Sequence, residues 1–392
     1  MLTNSVTPDL LGGLNRYVRE LSAALVRKGM HVTVATKRVR PELAMHEVGD
    51  DGVEIHRYEV TPKSSPHFLV SYAPRIAAAV WRELGAYRGT SDVVHAHYPV
   101  SAVPAALRRV PYVYTFHAPV HREVLSERQG SYRLPRALER SVVWGVQEME
   151  SFVTGRAARI ALLSEFVRNE LASLHPGLAR NAALIPGGLD VRRFAPASTP
   201  RQDRWAEQAT RLLFTARRLT PRMGILELVR AMPAVVELFP GTRLAIAGSG
   251  GLQCRIEREI RERGLGETVR LLGRISDDEL VRWYRSSSLV VMPTQELEGF
   301  GLTTAEALAC GTPVLGTPAG ATPEILEPID PRLVTRDTTP EALAEGIVSV
   351  LGDDDALQRA GATGRRLVAE TMGWDTVAER YLELYAELTA RG

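Results

Sequence analysis

The chain has 392 residues, 45% apolar and 24% charged, which excludes a disordered or fibrous protein and is too long for one ordinary α/β core. Lysine plus arginine number 48 against 46 acids, a formal net charge of +2, so the overall field gives no reason to expect nucleic acid as a partner. Two cysteines, Cys254 and Cys310, lack CxxC or Cys/His spacing, which argues against a disulfide framework and a structural zinc and fits a reducing cytoplasm.

Short β-branched runs alternate with amphipathic stretches, the pattern of parallel α/β sheets. Met1 to Asn4 reads as an unusually short first strand that runs into the loop Asn4-Ser5-Val6-Thr7-Pro8, so the true start is expected a few residues upstream. Strands are then expected at His31–Thr36, Glu54–Tyr58, Val93–Ala96, Tyr112–Phe116 and Arg159–Leu163, with helices near Asn15–Lys28, Pro74–Leu84, Ser101–Arg108 and Leu134–Gly155. Pro186-Gly187-Gly188-Leu189-Asp190 breaks the pattern, and Pro196 to Pro200 extends the break. Beyond it the alternation restarts, with strands at Leu212–Thr215, Leu244–Ala247, Val269–Leu272, Leu289–Met292 and Pro313–Gly316. The helices between them are Leu226–Phe239, Gln253–Arg263 and Asp278–Arg285, and a last amphipathic helix covers Trp374–Leu388. No short-period repeat is present, so the expectation is two similar α/β domains, 1–188 and 189–372, and a closing helix within 373–392. No apolar run reaches the length of a membrane span and no cleavable signal is recognised, so a soluble cytoplasmic protein is expected.

The most informative stretch is Leu289 to Gly320. A buried strand ends at Pro293, a loop carries Glu296 and Glu298, and Gly299-Phe300-Gly301 leads into a helix that Gly311 closes. In an open parallel sheet, ligands bind at the carboxyl ends of strands, where helix N–H groups favour a phosphate. The N-terminal residues Leu302 and Thr303 would present such groups, and glycines at 299 and 301 let the backbone approach closely. Glu298 and Glu306 would repel a phosphate but suit hydroxyls on either side of it, a sugar before the helix and a ribose beside it. The plain alternative is a solvated loop acid and an ordinary helix-surface glutamate. Elsewhere, Gly12-Gly13 alone marks a turn, and His117 stands at the carboxyl end of a strand, where position favours function. His95 and His97 alternate on a strand and read as structural, since two histidines at i, i+2 without a third ligand make a poor metal site. Gly248-Ser249-Gly250-Gly251 follows a strand but lacks the full dinucleotide pattern. Asp353-Asp354-Asp355 imitates a DxD metal motif, yet its place between helices reads as capping, and no metal is expected.

Glu298-Gly-Phe-Gly-Leu followed by Glu306-Ala-Leu-Ala-Cys-Gly-Thr-Pro-Val resembles the E-x7-E region of retaining GT-B glycosyltransferases of family GT4. The resemblance extends over nearly the whole chain, through Gly12-Gly13, Val94-His95-Ala96-His97, Thr115-Phe116-His117, Ser164-Glu165, Pro186-Gly187-Gly188, Arg217-Arg218-Leu219, Gly248-Ser249-Gly250 and Trp374. It implies a GT-B architecture: two Rossmann-like β/α/β domains facing across a cleft, an N-terminal acceptor domain, a C-terminal nucleotide-sugar domain, and a final helix crossing back. It implies that Arg218 neutralises the donor diphosphate, and that Gly12 and Gly13 pack under the donor phosphates. His117 would reach the transferred sugar, Glu298 would hold its hydroxyls, and Arg274 and Ile275 would meet the base. The family lysine expected before Gly224 is replaced by Met223, with Arg222 one residue earlier as a possible substitute cation.

The expected activity is retaining transfer of a hexosyl-type sugar from a nucleotide-diphosphate sugar, UDP first among the bases, without a cofactor or metal. Front-face substitution is expected, with the leaving phosphate as base. The acceptor is expected to be a small polar or sugar-like hydroxyl compound, bound near Ala118–Arg140. There Arg133, Arg136 and Arg140, followed by Val142, Val143 and Trp144, form an ordinary helix or, as a less favoured alternative, one that touches a membrane. The rival readings are a nucleotide-sugar epimerase and a non-catalytic sugar-nucleotide-binding protein.

Overall fold

The computed structural model describes residues 1–10, 12–62, 65, 67–87, 89, 92–120, 136–180, 182–197 and 204–390, and at 69, 70 and 136–139 the backbone only. The described chain divides into two compact units, Met1–Gly188 with Trp374–Gly392, and Leu189–Gly373.

The Leu189–Gly373 unit is built on five parallel strands: Arg211–Ala216, Thr242–Ala247, Val269–Gly273, Leu289–Met292 and Val314–Gly316. In space they run third, second, first, fourth, fifth, and a single parallel bridge from Gly316 to Val334 adds the start of a sixth. Parallel neighbours require crossovers, and the helices supply them. Leu289–Met292 lies inside the sheet with all four side chains at 0% exposure, which is why it reads as a continuous apolar run. The direction of winding reverses between Arg211–Ala216 and Leu289–Met292, and at such a reversal the carboxyl ends of the two strands border a crevice.

The Met1–Gly188 unit repeats this plan. Thr33–Lys37 pairs in parallel with Glu54–Tyr58, whose other edge takes the short antiparallel strand His46–Val48. Val94–Ala96, Tyr112–Phe116, Arg159–Leu162 and Ala183–Leu184 form a second parallel run. Leu2 joins the two, bridging in parallel to Ala35 on one side and Ala96 on the other. Its amide donates to the His95 carbonyl and its own carbonyl accepts from the His97 amide, both at standard length. The short first strand is therefore the seam of the whole sheet, and the winding reverses beside it. Trp374–Thr389 belongs to this unit and buries Trp374, Val377, Ala378, Tyr381, Leu384 and Tyr385, one face of a helix.

Several elements differ from the sequence expectation. The helix expected from Pro74 begins at Phe68 and carries Pro74 inside it; proline marks a first turn well, but an interior one costs a single backbone bond that packing offsets here. Thr33–Lys37 starts two residues later than expected. His46–Val48 and Ala183–Leu184 were not anticipated, being three and two residues long and largely exposed.

A buried ion pair fastens the loop after the first strand. Arg57, on Glu54–Tyr58, donates through Nε and Nη2 to Asp9 at 2.6 and 2.8 Å, and through Nη1 to the Ala44 carbonyl at 2.9 Å. Both side chains are 1% exposed, and Glu47 lies 2.7 Å from the guanidinium on its outer side. Removing one member strands a buried charge. Asp9→Ala is expected to lower stability by about 3 kcal/mol in urea unfolding, while Asp9→Leu with Arg57→Met loses much less.

Candidate active site

In the Leu189–Gly373 unit, the crevice at the winding reversal is organised by Arg217, the first residue after Arg211–Ala216. Its Nη2 donates to Thr294 Oγ1 at 2.6 Å and to Glu298 Oε2 at 2.5 Å. The two charged side chains are 7% and 15% exposed. Glu298 Oε1 accepts the Gly301 amide at 3.1 Å, so its carboxylate is pinned by a cation at one oxygen and by a helix entrance at the other. The helix Leu302–Ala309 starts from Gly301 in the left-handed region (φ 82°) with no side-chain cap and no acid in its first turn. Among the described residues, nothing accepts from the amides of Leu302, Thr303 and Thr304. An unpartnered first turn beside a fixed cation is a place for an anion.

The loop that carries Glu298 is held from behind. Arg222 Nη1 donates to the Leu297 carbonyl at 3.0 Å, and Leu297 has φ 58°, an uncommon conformation for a residue with a side chain. The Gln295 amide donates to the Arg222 carbonyl at 2.8 Å, and the Ala321 amide to the Glu298 carbonyl at 2.8 Å. Gly224, in the left-handed region, is obligatory: a Cβ there would stand 1.7 Å from the Pro293 carbonyl oxygen. Arg222, expected as a substitute cation, thus supports the loop, and Met223 is buried in the core of this unit. Arg218, expected beside the diphosphate, is exposed on the same loop, while its neighbour Arg217 meets Glu298.

Glu306 is 4% exposed and accepts from Tyr284 Oη at 3.1 Å; burial, with Glu306 beside it, pushes the Tyr284 hydroxyl far above its usual range. The alternative of two solvated acids is therefore excluded for this pair. Gly248 (φ 135°) packs against the arginine loop. A Cβ there would lie 1.8 Å from the Arg217 carbonyl oxygen, and the Ser249 carbonyl accepts from Leu219. The glycine run is the bed on which the arginine loop rests. Arg274 is exposed and Ile275 half-buried, just past Val269–Gly273; Gly299 and Phe300 are half-buried before the helix. Asp353 caps Asp354–Thr371 through the Ala356 amide.

In the Met1–Gly188 unit, Gly12 and Gly13 are exposed where the helix Gly13–Arg27 begins. A Cβ on Gly13 would meet no atom within 4 Å, so nothing in the described chain demands glycine there. The loop is fixed by Asn15, which accepts from Ser5 Oγ at 2.7 Å and donates to the Leu10 carbonyl at 3.0 Å. His117 follows Tyr112–Phe116, with Nε2 3.2 Å from His97 Nδ1 and the Tyr17 ring edge-on at 4.9 Å. Behind them His95 bonds Tyr385 Oη and Thr115 Oγ1, each at 2.7 Å. Thr115 Oγ1 meets Tyr381 Oη at 3.0 Å, which reaches Tyr17 Oη at 2.8 Å. The structural reading of His95 fits this buried chain of bonds. Glu150, 1% exposed, accepts the Val120 amide at 3.1 Å and so fixes the backbone just after His117.

Most of the expected acceptor stretch Ala118–Arg140, Glu123, Glu127 and Arg133 included, falls on 121–135 and lies outside the described residues; of Arg136 only the backbone is described. In the helix Arg136–Arg156, Trp144 is 64% exposed and the buried face appears at Glu150, Val153 and Thr154. No helix among the described residues is long and apolar enough to cross a membrane. Sequence reasoning missed Arg217, Asp9, Arg57 and Tyr284. For Arg57 a signal was present: a cation two residues from Ile55 on a short strand, and so on the same face.

Burial holds His117 down to about 3, and holds His95 and His97 well below the usual imidazole range. Unfolded histidine takes its proton near pH 6.5, so between about 6.5 and 3 the unfolded chain binds more protons than the folded one. The thermal midpoint is expected to fall steadily as the pH drops from about 6.5 toward 4. His117→Gln should fall less steeply.

A family model described as Glycosyltransferase Family 4 matches residues 11–193, and one described as Glycosyl transferases group 1 matches residues 200–367. The chain is 28% identical over 390 residues to D-inositol 3-phosphate glycosyltransferase of Pseudarthrobacter chlorophenolicus, covering 95% of this chain and 90% of that protein. Its fold is shared with sucrose-phosphate synthase from Thermosynechococcus elongatus, with a TM-score of 0.79, 24% identity, and 100% and 96% of the two chains covered. HepE of Anabaena, in complex with UDP, gives a TM-score of 0.73 at 18% identity, with 98% and 100% covered.

Proposed function

The chain belongs to the group 1 glycosyltransferases of family 4, with the GT-B fold, and from that premise we propose that it moves a hexosyl-type sugar from a UDP-sugar to a hydroxyl of a small polar acceptor. Transfer proceeds with retention of configuration, without a metal, in the cytoplasm. The observation that carries the reading is the uncapped first turn of Leu302–Ala309 beside the Arg217–Glu298 pair. In this proposal the amides of Leu302 and Thr303 take the diphosphate, with Arg218 on the adjoining loop as a further cation. Negative charge grows on the diphosphate as the glycosidic bond breaks, and fixed donors already aimed at it need no reorganisation.

Glu298 is assigned to the sugar hydroxyls through its remaining lone pairs. Its engagement with Arg217 and the Gly301 amide makes it a poor nucleophile, which favours front-face substitution over a double displacement. The leaving phosphate takes the acceptor proton. Glu306 is assigned to the ribose, and Gly299, Phe300, Arg274 and Ile275 to the nucleotide. In the other unit, Gly12 and Gly13 are assigned to the donor phosphates and His117 to the transferred sugar. UDP is the nucleotide of the HepE complex, and the relative named for D-inositol 3-phosphate supports a small polar acceptor.

The test is incubation of the purified protein in EDTA with UDP-, GDP-, ADP- and dTDP-sugars and a panel of polyols, sugar phosphates and lipid acceptors. NMR of the product is expected to show the donor's own anomeric configuration on a small polar acceptor. An inverted product contradicts retention, and a donor isomerised without acceptor identifies an epimerase. Binding with neither transfer nor hydrolysis identifies a non-catalytic protein. Gly13→Ala is expected to lower kcat/KM by at least about tenfold at an unchanged thermal midpoint, because its methyl group meets only bound donor.

A further inference from the structure

His117 reaches into its site from a ring whose far nitrogen is already used. Its Nε2 lies 3.2 Å from His97 Nδ1, the Tyr17 ring packs edge-on against it, and Nδ1 has no hydrogen-bond partner among the described residues. His97 is 2% exposed, follows Val94–Ala96, and packs at a tilt of 37° against His95 with ring centroids 4.0 Å apart. Its Nε2 is enclosed and has no partner among the described residues.

Both rings are neutral at working pH, since burial depresses each of them. Each therefore carries one proton, and a bond between two neutral imidazoles needs an N–H on one and a lone pair on the other. If His117 donates, the proton of His97 is forced onto its enclosed Nε2, an N–H buried without an acceptor. Orphaned buried donors are the rarer defect in folded proteins. If His97 donates from Nδ1, the enclosed nitrogen is a bare lone pair, and the proton of His117 moves to Nδ1.

We propose that His97 is a positioning residue that occupies Nε2 of His117 and fixes it as the Nδ1–H tautomer, so that His117 meets its ligand as a hydrogen-bond donor through Nδ1. A neutral donor suits a sugar oxygen and leaves no role for His117 as a general base. The ligand-facing part rests on the assignment of His117 to the transferred sugar; the tautomer itself does not.

Two-bond ¹⁵N–¹H spectra of the full-length protein read the tautomer directly. Wild type is expected to show His117 protonated on Nδ1 alone. His97→Asn places an amide N–H near the position of Nδ1 and should keep that pattern. His97→Ala should release a mixture of tautomers, with dispersed amide spectra certifying the fold of each variant. With an active donor and acceptor pair, kcat/KM should fall by about tenfold in His97→Ala and recover in His97→Asn. A His117 protonated on Nε2 in wild type, or a tautomer unmoved by His97→Ala, overturns the proposal even if glycosyl transfer holds. If the tautomer behaves as expected and no transfer occurs, the failure belongs to the functional reading alone.

Discussion

A guanidinium largely shielded from water finds its partners in the protein, and Arg217, 7% exposed, shapes the Leu189–Gly373 unit around that requirement. Its charge is permanent and its donors form a rigid fork, so Thr294 and Glu298 are brought to it at 2.6 and 2.5 Å. Once Glu298 is fixed, its second oxygen sets the entrance of Leu302–Ala309 through the Gly301 amide. The loop between them turns through a left-handed Leu297, which the Arg222 bond supports. Gly224 and Gly248 allow the surrounding backbone to close to distances that any side chain would forbid. The result is a helix whose Leu302, Thr303 and Thr304 amides meet no acceptor among the described residues, which is the feature a diphosphate needs.

The Met1–Gly188 unit solves a related problem with different chemistry. Its loop after the first strand is tied from beneath by the buried Asp9–Arg57 pair and from the side by Asn15. The exposed Gly12–Gly13 corner is thereby held without using glycine for packing. At the adjoining strand ends, His95, Thr115 and tyrosine hydroxyls form a continuous set of bonds, with the His97–His117 pair packed beside it. Tyr381 and Tyr385 come from the far end of the sequence to complete it. Burial keeps His95 and the tyrosines uncharged, so this network is made of directed neutral donors and acceptors, unlike the charged pair at Arg217 and Glu298.

Much of this was legible in the sequence, because α/β alternation and glycine punctuation are local signals. Leu289–Met292, Tyr112–Phe116 and Glu54–Tyr58 stand where their patterns place them, Gly311 ends its helix in the left-handed region, and Asp353 caps Asp354–Thr371. What was missed depends on side-chain direction or on distant partners. Arg217 and Arg218 are neighbours of one type, and only the orientation of the backbone decides which turns inward to Glu298. The burial of Glu306 depends on Tyr284, 22 residues earlier, and that of His95 on Tyr385, 290 residues later. Met223 breaks an expected pattern of charge, yet its side chain fills the core; no property of the single residue announces that.

The most direct measurement is a calorimetric titration of UDP, in EDTA, into wild type and Arg217→Lys. Lysine keeps the charge but cannot hold Thr294 and Glu298 in a planar fork. If the guanidinium organises the helix entrance for a diphosphate, wild type binds UDP and the variant binds at least about tenfold more weakly, a loss of about 1.4 kcal/mol. Equal affinity in the two proteins, or no binding in wild type, would contradict the account.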